Sequence, residues 1–344
     1  MPFAFCLLPF AFFCPGFIFS FGMTPSVVLL ILTWNRRADV VRCVASLPRL
    51  TYGAVTPVVI DNASADDTVA ALRAARPDLT IIENPRNLGY AGGNNVGLRW
   101  ALARGADYVL LINSDTEVTP ELVTELVRVA ESDPRIAVVG CRNLLLEDPT
   151  RLWGAWDTLT WGPFAVRSDG AHQPDGPAWQ GTRDVDVAIG NGYLWRRAAL
   201  EQVGLLDESL FGYHEDVDWC VRARRAGWRV VYAGAAAILH QGGSSSAPGA
   251  ARVFPQAYFL GRNGVRIAQR YATPGQHLRF AAACLGAWAF RAARAALRRD
   301  AAALARERTY LRGALDAWRG RPIPFADLGM GDAGTGDEGQ RTKD

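Results

Sequence analysis

Hydrophobic residues come in short unbroken runs, and each run stops on a polar cluster. Val27–Leu32 ends at Thr33-Trp34-Asn35-Arg36-Arg37, Pro57–Ile60 at Asp61-Asn62-Ala63-Ser64, Thr80–Glu83 at Asn84-Pro85-Arg86-Asn87-Leu88-Gly89, and Tyr108–Ile112 at Asn113-Ser114-Asp115. All four read as strands, and the aliphatic runs before Thr33 and Asn113 as strands buried on both faces. Helical spacing fills the gaps. Val40, Val41 and Val44 predict a helix over Ala38–Ser46, Asp66 or Asp67 is placed to cap one running to Ala75, and Asn94–Arg104 reads as a third. Strands alternating with helices imply right-handed βαβ units and a parallel sheet. The polar strand ends then share one rim, the side on which open α/β sheets bind ligands.

Beyond residue 115 the pattern loosens. A helix is predicted over Pro120–Glu131 and strands over Ile136–Cys141 and Val185–Ile189, with Gly190-Asn191-Gly192 and Tyr193–Arg196 after the second. Between them Leu144–Thr182 is irregular and holds Trp153, Trp156, Trp161 and Trp179; so long an irregular stretch is more often functional than idle. Val217, Cys220 and Val221 predict a helix that carries Glu215, Asp216 and Asp218 in its first turn and stops at Gly227. Arg229–Tyr232 follows as a short strand, leading to Ile238-Leu239-His240-Gln241.

From Leu278 the composition turns to Ala, Leu and Arg. Arg291, Arg294 and Arg298 fall on one helical face, and the uncharged core Phe280–Phe290 is too short to span a bilayer. This predicts a basic amphipathic helix lying on an anionic membrane surface. Residues 1–22 are apolar and lack charge, but Pro9 and Pro15 interrupt them and no positive n-region precedes them. The expected start is Met23, with a membrane anchor as the alternative. The chain thus divides into an N-terminal extension (1–22), a nucleotide-binding half (23–135), a second half (136–265), a membrane-associating helical extension (266–321) and a disordered tail (322–344).

Composition narrows the classes. The net charge of +3 is too small to argue for nucleic acid. Six scattered cysteines form no CxxC pair, and the four histidines are far apart, so neither a disulfide framework nor a zinc motif is indicated. Reduced thiols in a cytoplasmic compartment fit best.

The rim supplies the chemistry. Thr33–Arg36, Asp61–Ser64 and Asn113–Asp115 can surround a nucleotide, with Asp61 and Asn62 facing a base edge or ribose. Asp115 suits a hard divalent cation on a diphosphate, unless it or Thr119 merely caps the next helix. His240 is a candidate second ligand. Asn87–Asn95 looks like a Gly-rich phosphate loop opening a helix, although the GxGxxG and P-loop orders are both absent.

Taken together, Leu32-Thr33-Trp34-Asn35-Arg36, Val59-Ile60-Asp61-Asn62-Ala63-Ser64, Asn87-Leu88-Gly89 with Gly92-Gly93-Asn94, and Leu111-Ile112-Asn113-Ser114-Asp115 resemble family 2 glycosyltransferases of the GT-A fold. Gly190-Asn191-Gly192, Glu215-Asp216-Val217-Asp218, His240-Gln241-Gly242-Gly243-Ser244, Arg262-Asn263 and Leu311–Asp316 are similar to its rhamnosyltransferase-like branch. The resemblance implies an α/β GT-A fold and an inverting, metal-dependent transfer from a nucleoside-diphosphate sugar, dTDP-rhamnose by branch, to a saccharide or lipid-linked saccharide hydroxyl in cell-envelope synthesis. It implies Mg²⁺ or Mn²⁺ on Asp115 and His240, with Asn113 where the family has its first aspartate. Asp61 would contact the base, and Asp216 would be the general base, with Glu215 orienting the acceptor. Thr33, Asn35, Asn62, Ser64, Asn87, Gly89, Asn94, Asn113 and Ser114 join the donor site. Gly190, Asn191, Gly192 and Trp219 are expected at the acceptor. The expected location is the cytoplasmic face of the membrane. A sugar-phosphate nucleotidyltransferase and a catalytically dead scaffold are the alternatives.

Overall fold

The computed structural model describes residues 24–241 and 254–330. The predicted start at Met23, the loop after Gln241 and the tail after Met330 lie outside them. The first half is as the pattern predicts: β1 (Val27–Thr33), α1 (Arg37–Ser46), β2 (Val55–Asp61), α2 (Thr68–Ala75), β3 (Thr80–Glu83), α3 (Gly89–Ala103) and β4 (Tyr108–Asn113). β3, β2, β1 and β4 lie side by side and parallel, with Thr33 opposite Asp61 and Leu32 opposite Asn113. The polar strand ends therefore do share one rim. Leu29, Leu30, Ile31, Val59, Leu110 and Leu111 are fully buried between the helical layers, as unbroken aliphatic strands demand.

The second half departs from a purely parallel sheet. β5 (Thr116–Val118) precedes α4 (Leu122–Glu131) and β6 (Ile136–Leu145). Three small strands, β7 (Leu152–Gly154), β8 (Trp156–Leu159) and β9 (Val166–Asp169), build a flap from the Trp-rich region, and β10 (Thr182–Asp184) follows. Val185–Ile189 is not a strand; it is held by isolated bonds to Val230 and Asp157. β11 (Tyr193–Arg196) lies between β4 and β6, antiparallel to both, and the sheet is mixed. After α5 (Arg197–Val203) and α6 (Glu215–Arg225), β12 (Arg229–His240) runs far past the predicted Tyr232. Its shift against β6 between Ala233 and Ala237 carries it back into register, out to His240.

α7 (Pro255–Tyr271), α8 (Pro274–Leu297) and α9 (Ala301–Trp318) close the chain. The predicted boundary at 265/266 cuts through α7, whose Tyr258, Val265 and Ile267 are core residues. Nor is 322–330 free chain: Leu328 is buried against Phe211, Tyr258 and Phe259, and Phe325 meets the Phe211 ring edge-on. Ile323, Phe325 and Leu328 supply apolar anchors ahead of the Gly- and Asp-rich residues from 329 on.

The C-terminal helices also revise the basic face. Arg291 points inward to Glu307 of α9 at 3.0 Å and lies over the Phe164 and Tyr310 rings. Beside the exposed Arg294, α8 leaves large apolar side chains exposed: Leu278, Leu285, Phe290 and Leu297, the last 85% exposed. By length and composition α8 is long and apolar enough to cross a bilayer, beyond what Phe280–Phe290 alone allowed.

Candidate active site

At the rim, Thr33 Oγ1 and Asp61 Oδ1 are buried without a hydrogen-bond partner, side by side in the β1–β2 register. Orphaned buried acceptors are costly and mark places where a ligand is awaited. Asp61 Oδ2 accepts from Ser64 N at 3.0 Å, and the Asn35 and Ser64 loops lock together: Asn35 N donates to Ser64 Oγ, and Ala65 N to Asn35 Oδ1.

Other expected donor residues have structural jobs. Asn62 donates to Asn87 Oδ1 and Gly89 O and accepts from Asn84 Nδ2 and Leu88 N, so its amide has no capacity left for a base edge. Asn87 Oδ1 accepts from Asn62 Nδ2 and Gly89 N. The Gly-rich stretch opens a helix as expected, and its glycines have a packing job. It lies inside α3, where a Cβ on Gly93 would stand 2.6 Å from Leu32 and one on Gly97 2.8 Å from Ile60. These glycines let α3 press onto β1 and β2, and Asn94 is buried beside them, donating to Tyr90 O.

Asp115 and His240 meet. The turn after β4 carries Asp115, the end of β12 carries His240, and Oδ1 lies 3.1 Å from Nε2. Gln241 N donates to Asp115 O, which ties the two strand ends. His240 Nδ1 is buried without a partner, and the Trp153 ring stands edge-on to the imidazole at 4.7 Å. Asp115 does not cap α4: no side chain does, and Thr119 donates instead to Ala237 O. Among the described residues no group of three or more His, Cys, Asp or Glu forms a metal cluster. A carboxylate and an imidazole still fit Mg²⁺ or Mn²⁺, which accept a sparse protein ligand set when waters and phosphate oxygens complete the shell.

The acid pair sits across the rim. Asp216 Oδ2 accepts from Gly190 N and Oδ1 from Val217 N, each at 2.8 Å. Glu215 is buried, and its Oε2 has no partner. Burial pushes both carboxyls up, and the charge of Asp216 helps hold Glu215 up to about 8. The two backbone N–H bonds favour the Asp216 anion, so Asp216 ionises first. The dipole of α6 does not by itself keep the pair charged, as its place in a first helical turn predicts. Asp218 belongs elsewhere: buried, it pairs with Arg222 and Arg270 and accepts from Tyr271.

Tyr90 joins the two sides, and nothing in the sequence pattern singled it out. Its hydroxyl donates to Gly190 O at 2.6 Å and lies 3.2 Å from Asn113 Oδ1. The hint was an aromatic side chain beside Gly89, at a helix start otherwise built of small residues. Ser114 is half-buried in the turn between Asn113 and Asp115. Asn191 is buried and spent on Asn113 N and Thr116. A Cβ on Gly192 would collide with Cys141 Sγ. Trp219 is wholly buried, its Nε1 donating to Gly204 O. These three shape the walls and offer an acceptor nothing; of the expected acceptor set only Gly190 borders the acid pair.

The backbone ahead of the acids is strained. Phe211, Tyr213 and His214 all have positive φ, at 62°, 67° and 69°. Such residues cost about 1–3 kcal/mol each and persist only where the surroundings over-determine them. Here Asn263 of α7 does so: its Nδ2 donates to Leu210 O, Gly212 O and Tyr213 O at 2.7–2.9 Å, while Arg262 donates to Ser209 O.

The family described as glycosyltransferase-like family 2 matches residues 25–259. Among curated relatives, the N-acetylglucosaminyl-diphospho-decaprenol L-rhamnosyltransferase of Mycobacterium tuberculosis is 29% identical over 63% of this chain and 76% of its own. A galactofuranosyltransferase of the same species is 30% identical over 64% and 72%. A low-salt glycan biosynthesis hexosyltransferase of Haloferax volcanii is 28% identical over 59% and 63%. Two solved structures share the fold at 16% identity. A mannosyltransferase of Pyrobaculum calidifontis with GDP-mannose and Mn²⁺ aligns over 86% of this chain and 88% of its own, with a TM-score of 0.53. The transferase GalNAc-T7 with UDP, GalNAc and Mn²⁺ aligns over 72%, with a TM-score of 0.56, this chain matching 48% of its length. The fold is GT-A.

Proposed function

Since this chain belongs to glycosyltransferase family 2, we propose that it moves a sugar from a nucleoside-diphosphate sugar to a hydroxyl of a lipid-linked saccharide, with inversion, in cell-envelope glycan synthesis. The observation that carries this reading is the bridge through Tyr90 and Gly190. It sets a carboxylate–imidazole pair able to hold a diphosphate-bound cation and a buried acid pair on opposite sides of one rim. The rhamnosyl relative, which acts on a diphospho-decaprenol, favours a lipid-linked acceptor and dTDP-rhamnose as donor. The family match disfavours a nucleotidyltransferase, and the presence of Asp115 and Asp216 argues against a dead scaffold.

In this reading Thr33 Oγ1 and Asp61 Oδ1 take up the nucleoside. Asp115 and His240 would hold Mg²⁺ or Mn²⁺, which when bound neutralises charge on the departing diphosphate. Asp216 accepts the proton of the acceptor hydroxyl as it attacks the anomeric carbon, and Glu215 orients that hydroxyl. A panel of dTDP-, UDP- and GDP-sugars with Mn²⁺ is the test. Release of one nucleoside diphosphate, dependent on a polyprenyl-diphosphate saccharide, is expected. If no nucleoside diphosphate binds, the reading fails.

We further propose that the protein works on the cytoplasmic face of the membrane, held there by the outer side of α8. The apolar side chains outweigh the charges: burying one contributes about 1.5–3 kcal/mol, against about 1 kcal/mol per Arg near anionic lipid. That α8 also packs on α9 through Arg291 and Trp288 favours lying on the bilayer over crossing it. Flotation with anionic liposomes should therefore fall more in Phe290→Ser/Leu297→Ser than in Arg294→Glu/Arg298→Glu. The reverse order would return the anchor to the arginines.

A further inference from the structure

Beneath the flap, behind the acid pair, lies a partly enclosed cavity of about 190 Å³. Asp157 and Ser168 of the flap hairpin line one side, His214 the base, and Phe164, Leu260, Phe280 and Tyr310 the rest. At roughly 30 Å³ per water it has room for about six, the scale of one sugar ring and too little for two. Its two sides differ in chemistry. The aromatic side can cover the C–H face of a ring. The polar side holds three groups that meet hydroxyls: the Asp157 carboxyl, bonded to Ser168 Oγ at 2.6 Å, and His214 Nδ1, buried without a partner.

The cavity is tied to the acids on both sides. His214 immediately precedes Glu215, and burial, with the charge of Asp216, pushes Asp157 up to about 7. Burial takes His214 down to about 4, so its imidazole is neutral and offers one donor and one acceptor. Nothing in the donor side of the rim uses these groups. The C-terminal helices, in turn, hold the flap down over them: Arg279 donates to Thr160 O and Trp161 O, and Arg291 lies over the Phe164 ring.

We propose that this cavity seats the terminal pyranose of the acceptor, and that His214 and Asp157 select it by its hydroxyl pattern. The inference rests on the transferase reading above and names the part of the acceptor that this protein recognises. It makes the flap and α8 a specificity wall.

The test uses the full chain and methyl pyranosides of the common hexoses and N-acetylhexosamines, with binding followed by saturation-transfer NMR. UDP and dTDP binding with Mn²⁺ is measured in parallel. One or a few pyranosides should bind to the unsubstituted protein. His214→Gln should weaken that binding by about tenfold, the scale of one hydrogen bond lost at a buried site. Gly264→Leu leaves every polar group in place and fills the cavity: a Cβ there stands 3.8 Å from Phe280, in ordinary contact, with the branches reaching inward. It should abolish pyranoside binding while nucleotide binding persists. If it does not fold, His214→Gln alone decides. Pyranoside binding undiminished in the folded variants, or absent from the unsubstituted protein, overturns the cavity assignment. Absence of nucleoside diphosphate binding in the unsubstituted protein fells the transferase reading and this inference with it.

Discussion

Asp216→Asn is expected to lower kcat by about 10²–10⁴, or roughly 3–5.5 kcal/mol of barrier, with the nucleoside diphosphate still bound. An in-line displacement leaves the acceptor proton nowhere to go but a carboxylate opposite the departing diphosphate. Asp216 keeps lone pairs for that proton even while each oxygen accepts one backbone N–H. The amide cannot accept on both sides, so one of those two bonds is lost. The change also relieves a buried charge beside Glu215, which offsets part of that cost. Glu215 should then fall from about 8 towards the usual range, because the charge that helped to raise it is gone. For the unsubstituted enzyme the same pair sets the acid limb of the rate profile: protonation as pH falls removes the base, so the rate drops above the usual carboxylate range, not below it. Thermal melting separates the chemical loss from a folding loss. Should Asp216→Asn stay within about tenfold of the unsubstituted enzyme while Glu215→Gln is dead, the two roles are exchanged. A product that keeps the donor's anomeric configuration would overturn the inverting mechanism.

Asp115→Ala should cost at least about 10³ in turnover, or roughly 4 kcal/mol, the several kcal/mol that a cation contributes to a charged leaving group. A second readout does not need turnover. In the unsubstituted protein, Mn²⁺ with UDP or dTDP should raise the melting temperature beyond the nucleotide alone, because ligands that bind only the folded state stabilise it by mass action. In Asp115→Ala that increment should vanish. The fold should survive, since the bond that ties Asp115 to Gln241 uses the backbone carbonyl and not the carboxylate. Full activity in the variant, or undiminished activity of the unsubstituted enzyme in EDTA, would sink the metal assignment.

Strands buried on both faces announce themselves, which is why β1 and β4 nearly coincide with their predicted residues, while β3, a half-exposed edge strand, is marked by the Asn84-Pro85 stop after it. Where long-range pairing decides, local pattern fails. Tyr193–Arg196 becomes an antiparallel insertion because β4 and β6 each lack a neighbour there. Arg229–Tyr232 extends to His240 because β6 templates it. α3 starts five residues before the predicted Asn94 because its glycines are spent on packing, a tertiary use that propensity counts against a helix. At the site, carboxylates at strand and helix ends were legible from type and position. The meeting of Asp115 with His240 was legible as a candidate pairing from residue type, which the resemblance strengthened. Asn62, Asn191 and Trp219 carried no sequence mark to separate a residue that holds a wall from one that faces a ligand. Tyr90 and the polar side of the flap cavity escaped because their partners lie far along the chain.

Asn263 gives the order of synthesis a meaning. The β1–β4 sheet needs nothing beyond residue 113 for its strands, and a nascent chain emerging at about 5–20 residues per second can form it early. The left-handed turn before Glu215 has no such independence, because the amide that satisfies Leu210, Gly212 and Tyr213 arrives with α7. In synthesis the acids are thus the last part of the rim to be held in place, after the Asp115–His240 pair has been made.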